Sequence, residues 1–401
     1  MTEPKLTVFV FDDGSKPLGV ESPLARRLSL RRIRLHAPWA RVELVSTDCA
    51  GSCLKVLHSQ ATPNLAFLAH PEMFVGPEWT KTPLELLDME PSVGLVGVVS
   101  NTSASAAQSI APPFPYQTPH LLDLAVTQIR REAPLRWLLV DALEPFCCFL
   151  RSTDFRALAK NVTGIEDLPG AVLKSGKKLA LALDTYVHRY GSLYEQPRPD
   201  LLDRVPAGAR CVLDVGCARG RFGLELKRRG CPRVVGIERD PLLAHAAKDL
   251  LDQVVNADVE SIEDGTFEGH FDAVVCGDVV EHLVEPFQAL SRFRSWLNPG
   301  GRLLLSVPNV GHWSILMDLM AGRWDYAPFT ILSGTHLRFF TRRSVRELLE
   351  ESGYRVEQID DVKPPIPPIG EAFIRRLKAV DEIAPESSLL ASEFIVTAQK
   401  A

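Results

Sequence analysis

The most regular pattern in the chain lies in its second half. There, short apolar runs that end in an acid or a small residue alternate with segments whose apolar residues recur every three to four positions. The runs beginning at Cys211, Arg233–Glu238, Gln253–Val255, Phe271–Asp278, Leu297–Asn309, Tyr354–Asp360 and Glu393–Lys400 predict seven strands. Between them Pro241–Leu251 and Val284–Leu297 read as helices, and Ser344 with Glu347 forms a candidate capping box ahead of Leu348. Strands and helices that alternate through short connections imply an α/β fold with a mostly parallel, doubly wound sheet. A chain of 401 residues, 46% of them hydrophobic, has room for a further domain before it.

The run CVLDVGCARGRFG, Cys211 to Gly223, adds chemistry to this pattern. A strand closes on Asp214, a turn carries Gly216 and Gly220, and a helix follows, offering N-terminal N–H groups to an anionic group. A dinucleotide site requires G-x-G-x-x-G, and Gly216-Cys217-Ala218-Arg219-Gly220-Arg221 fails two of the three glycine positions. The acid closing the next strand, Glu238, is placed as a ribose ligand. The segment resembles motif I of the class I S-adenosylmethionine methyltransferases, with Ala218 at the position of the middle glycine. That resemblance implies a seven-stranded Rossmann-like sheet whose last strand, after the proline-rich stretch Lys363–Ile369, is antiparallel. It assigns Asp214, Gly216, Cys217 and Gly220 to the methionine end of S-adenosylmethionine, Glu238 to the ribose, Asp258 and the backbone of Val259 to the adenine, and Gly277 to the same site. The cofactor is expected across the carboxyl ends of the strands that begin at Cys211 and Phe271.

Charge and cysteine usage narrow the partners. A formal net charge of −5 argues against an extensive nucleic-acid or anionic-membrane surface. No secretory leader pattern and no apolar run of bilayer length occur, so the expectation is a cytoplasmic protein without a membrane span. The 8 cysteines are scattered, and most, including Cys147, Cys148, Cys211 and Cys276, fall inside strand-like runs as small apolar residues. Cys49 and Cys53 lack the second pair a zinc site requires.

Residues 1–190 resemble the GT-A fold of family 2 glycosyltransferases in shortened, degenerate form, followed by the methyltransferase domain at 191–401. The run Asn64–Asn101 is similar to that family's strand, metal turn, helix and strand, and Val140–Leu158 and Gly164–Gly191 to its acceptor-side elements. The metal turn, normally D-x-D, reads His70-Pro71-Glu72; His188 stands where the family has a late histidine and Asp167 where it often has a base. The turn Asp12–Lys16 resembles a nucleotide-reading D-D-G-S, although the strand expected some tens of residues before it is not in the sequence. The expectation is a scaffold that binds a glycan or forms a homodimer, with a working sugar transferase as the alternative.

Methyl transfer asks the protein to align an acceptor oxygen, exclude water and take or orient the hydroxyl proton. His336, in the segment 311–341 that resembles an active-site insertion, is the first candidate base, followed by His282 and His312. Glu281 is a candidate to orient a histidine or the acceptor, and Trp313, Trp324 and Tyr326 are candidate apolar walls. Glu281 and His282 are neighbours whose side chains diverge by about 100 degrees on a regular helix, so no metal is expected. The pairing of the two resemblances points to O-methylation of a sugar or glycan hydroxyl in polysaccharide or secondary-metabolite synthesis. The alternatives are a bifunctional glycosyltransferase and methyltransferase, and a non-catalytic assembly protein that binds S-adenosylmethionine.

Overall fold

The computed structural model describes residues 5–11, 22–45, 53, 62–69, 73–190, 197–263, 265–267, 269–328, 330–379 and 386–401. They fall into two compact units, one running to Gly191 and the other from Ser192 to Ala401. Among the described residues no helix is long and apolar enough to cross a membrane.

The first unit is built on β1 (Leu6–Phe11), β2 (Arg41–Val45), β3 (Asn64–Leu68), β4 (Met73–Val75), β5 (Val93–Val99), β6 (Trp137–Val140), β7 (Cys147–Arg151) and β8 (Lys178–Arg189). These pair in the order β2-β1-β3-β7-β5-β8-β4, with β6 also on β8. Strands β2, β1 and β3 are parallel, and β7 enters antiparallel between β3 and β5. Period-two alternation explains why the inner strands β3, β5 and β7 are almost wholly apolar, since both of their faces are buried. In β1, Phe9 joins a layer with Phe67 and Phe155, while Leu6, Val8 and Val10 join Ala66, Leu68 and Phe149 on the other face.

The second unit carries β9 (Cys211–Val215), β10 (Arg233–Glu238), β11 (Gln253–Asn256), β12 (Phe271–Gly277), β13 (Leu297–Pro308), β14 (Tyr354–Val362) and β15 (Glu393–Lys400). Their order is β11-β10-β9-β12-β13-β15-β14. Strands β9 to β13 are parallel, and β15 lies antiparallel between β13 and β14, as expected of the last strand. The chain leaves β9 toward β10 on one side and later returns to β12 on the other. The crevice above β9 and β12 is therefore a topological switch point, where such sheets bind ligands.

Two helices differ from the pattern. The helix Pro241–Ala247 is capped by Asp240, whose carboxylate accepts from Leu242 N (2.8 Å) and Leu243 N (3.2 Å), and it stops short of Leu251. The capping box of Arg342–Glu351 is made by Thr341 and Ser344, with Thr341 Oγ1 accepting from Ser344 N at 3.3 Å and Ser344 Oγ from Thr341 N at 2.9 Å. Glu347 instead meets Arg343 one turn back, at 2.7 Å.

Candidate functional site

The loop after β9 is shaped by its backbone. Gly216 has φ +72° and Gly220 φ +76°, and a Cβ on Gly216 would stand 2.8 Å from Val279 Cγ2, so both conformation and space demand glycine there. Ala218, where the motif has its middle glycine, holds φ +45°, a strained value for a residue with a Cβ. The N–H groups of Gly216 and Cys217 donate to Ile237 O on β10 (2.8 and 3.0 Å), and Gly220 begins the helix Arg221–Arg228. Cys217 is buried, and its Sγ would be 2.5 Å from a Cβ on Gly236, so its side chain underpins the loop.

Three acids line the carboxyl ends of neighbouring strands. Asp214, in β9, is 5% exposed, and its Oδ2 is buried without a hydrogen-bond partner. Burial, with the charge of Glu238 second, pushes its pKa up to about 8. Glu238, ending β10, ties the loop down: Oε2 accepts from Ala218 N at 2.9 Å and Oε1 from Asp240 N at 2.8 Å. Asp258 is exposed beyond β11, accepts from Glu260 N at 2.9 Å and opens the turn that carries buried Val259. Gly277 ends β12 across the switch point, with space for a Cβ closed to 3.0 Å by Leu201. An orphaned buried carboxylate oxygen beside a glycine turn fits the ammonium of a methionine moiety, and the acids on β10 and after β11 fit hydroxyl and amino donors. The arrangement therefore suits S-adenosylmethionine.

A second cluster follows β12. Val280–His282 is a 3-10 turn, on which successive side chains diverge by about 120 degrees, yet Glu281 and His282 each bring a ligand atom within 4.8 Å of the other. Glu281 is 1% exposed and neither of its oxygens has a hydrogen-bond partner, so burial raises its pKa well above the carboxylate range. His282 Nδ1 lies 3.1 Å from Thr335 O, and His336 Nδ1 lies 3.0 Å from Ile331 O. A carbonyl can only accept, so each Nδ1 carries the proton and each Nε2 presents a lone pair. The rings stand edge to face, 4.8 Å apart, and one ligand atom from each of Glu281, His282 and His336 lies within 4.8 Å of the others. Burial lowers both histidines, His336 to about 4 with His282 as its second cause. The backbone N–H groups of Leu337 and Arg338 donate to Glu281 O at 2.8 and 3.0 Å, which fixes the insertion against the turn.

The other candidates part from this cluster. His312 is 1% exposed, and its Nδ1 caps the helix Trp313–Met320 by accepting from Ser314 N (3.3 Å) beside Ser314 Oγ (2.7 Å). Burial lowers it to about 3, and as a helix cap sealed from solvent it is poorly placed to act as the base. Trp313 is likewise packed, 2% exposed and close against Gly370, whereas Trp324 and Tyr326 remain exposed. In the first unit, His188 bonds Tyr116 and Tyr186 through Nδ1 and is lowered to about 3 by burial. Asp167 accepts from Thr163 N (2.9 Å) and Thr163 Oγ1 (2.7 Å), bonds that lower its pKa and make it a local turn cap. Asp12, Asp13, Lys16, Cys49, His70, Pro71 and Glu72 lie outside the described residues.

One group escaped the sequence. Arg198, at φ +48°, joins Asp278, at φ +53°, through Nη1 at 2.5 Å and Glu393 through Nη2 at 2.6 Å, while Ser306 Oγ donates to Asp278 at 2.8 Å. Two strained residues thus meet at the end of β12, beside the cofactor loop and the histidine pair.

Comparison with known proteins agrees with this geometry. Residues 185–359 match the family described as a methyltransferase domain. This part of the chain is a class I S-adenosylmethionine-dependent methyltransferase domain. Among its relatives, the ubiquinone biosynthesis O-methyltransferase of Xanthomonas axonopodis pv. citri (strain 306) is 33% identical over 161 residues, covering 38% of this chain and 66% of the relative. That of Xanthomonas campestris pv. campestris (strain B100) is 40% identical over 148 residues, covering 34% and 60%. The chain thus spans less than two thirds of these relatives' length. The crystal structure of an S-adenosylmethionine-dependent methyltransferase from Mesorhizobium loti matches 50% of this chain and 96% of its own, at TM-score 0.36 and 17% identity.

Proposed function

We propose that the whole chain is an O-methyltransferase that moves the methyl group of S-adenosylmethionine to a hydroxyl of a sugar or glycan. The observation that carries the hydroxyl reading is the pair of unprotonated Nε2 atoms on His282 and His336, set at the end of β12 beside the cofactor loop. The cofactor brings an activated methyl group on a sulfonium, so the protein's residues need only place the acceptor and receive its proton. His336 is the proposed acceptor of that proton, with His282 packed against it. Glu281 fixes the insertion through its backbone carbonyl. Asp214, Gly216, Cys217, Gly220, Glu238, Asp258, Val259 and Gly277 are proposed to hold the cofactor.

The sugar reading is supported by the first unit, whose parallel β2-β1-β3 group, antiparallel β7 and long β8, with His188 next to its last residue, follow the element order of a GT-A-like domain. It serves here as an acceptor-binding or dimer-forming part. A second reading, an intermediate of ubiquinone biosynthesis as in the relatives' names, is favoured by the exposed apolar side chains of Leu319, Met320, Trp324, Tyr326 and Leu337 in the insertion. Incubating the chain with methyl-labelled cofactor and extract from a strain lacking its gene discriminates these. A labelled carbohydrate supports the first reading; a labelled phenolic or quinonoid product replaces it with the second.

A further inference from the structure

We propose that Glu281, His282 and His336 form a divalent-cation site that clamps the insertion to the end of β12. It rests on the reading above only for its use in catalysis, and it departs from the expectation that this domain holds no metal. Three ligand groups converge here, and among the described residues neither Glu281 oxygen has a hydrogen-bond partner. Glu281 is nine-tenths and more buried with both oxygens unpartnered, and the histidines direct Nε2 lone pairs while their Nδ1–H groups are spent on Thr335 O and Ile331 O. A buried carboxyl group with neither oxygen hydrogen-bonded is costly, and a cation held by it and the two Nε2 atoms supplies the missing partner.

The donor set narrows the ion. Two imidazoles and one carboxylate suit zinc, cobalt or manganese better than calcium or magnesium, which prefer oxygen. Each imidazole is oriented by an Nδ1–H bond to a backbone carbonyl, the usual support of a metal-ligating histidine. The ligand atoms lie within 4.8 Å of one another, and small side-chain rotations bring them to the about 3.3 Å that separates ligands around a zinc ion bound at about 2.0 Å. Three protein ligands leave a fourth position for an acceptor oxygen, whose pKa a bound cation lowers; in the loaded site this replaces proton capture by His336, whose Nε2 is then a ligand, and the proton leaves to solvent. Because Glu281 and His282 belong to the turn after β12 and His336 to the insertion, the ion also joins two elements far apart in the sequence.

The test reads the metal directly. The full chain, stripped with a chelator and dialysed, is titrated with cobalt(II) while its visible absorption and its affinity for S-adenosylhomocysteine are followed separately. The expected result is one cobalt per chain with the intense bands of a low-coordinate site, a loss of at least tenfold in cobalt affinity in both Glu281→Gln and His336→Ala, and unchanged nucleoside binding. Amide exchange across residues 331–338 is expected to slow when cobalt is added. Absence of stoichiometric cobalt binding, or equal binding by His336→Ala, overturns the site. Methyl transfer by a cobalt-free, chelator-treated chain overturns its catalytic use while leaving the methyltransferase reading standing; cobalt binding without any methyl transfer does the converse.

Discussion

Asp214 carries its carboxyl group into the interior at the carboxyl end of β9. The sequence marks it as the acid that closes the first strand of the domain, and the structure adds that its carboxyl is buried with an orphaned oxygen. Its pKa, about 8 in the folded chain, lies above the unfolded value near 3.9, so the folded state favours the protonated form. Stability from this group is complete at acid pH, below the unfolded value, and is lost as pH rises toward and through about 8. Asp214→Asn is therefore expected to unfold later than the wild type at pH 9, with little difference at pH 4, and to bind S-adenosylmethionine at least tenfold more weakly. Denaturant midpoints at the two pH values check the first part and calorimetry the second. The proposed cofactor positions are legible because motif, strand end and acid are contiguous in sequence. The histidine pair is not, since His282 and His336 meet only when the insertion folds back, and tautomers follow from carbonyls that no spacing announces.

At the scale of elements, the central strands β9, β10 and β12 are visible as apolar runs because both of their faces are buried. Helix limits are less legible: Thr341 and Ser344 set the start of the helix Arg342–Glu351 by a reciprocal cap that outranks the Ser344 and Glu347 spacing. The clasp at the end of β12 is invisible in the sequence, because Arg198 finds Asp278 and Glu393 at separations of 80 and 195 residues. Arg198→Ala removes three partly buried ion pairs at once and leaves Asp278 without its counterion. The expected cost is about 2 kcal/mol, between the values for exposed and buried pairs. Urea denaturation measures it, and a cost below about 0.5 kcal/mol would reduce the clasp to a surface contact.

At the scale of the whole molecule, two units each hold their own sheet and core, so their stabilities respond separately to ligands of one of them. Scanning calorimetry is expected to give two transitions, of which S-adenosylhomocysteine raises one; a single transition raised as a unit would show that the two sheets unfold together. The class of the second unit was legible from its loop and strand order, whereas the nature of the first rests on a resemblance whose metal turn lies outside the described residues. Everything else in the account depends on the loop Gly216–Gly220 being a cofactor cradle. Titration of the full chain with S-adenosylmethionine tests that most directly, with Gly216→Val beside the wild type, since a branched side chain there meets both the positive φ and Val279. The account predicts one cofactor bound per wild-type chain and at least a tenfold loss in a folded Gly216→Val variant; equal affinity in the two, or no binding by the wild type, would contradict it.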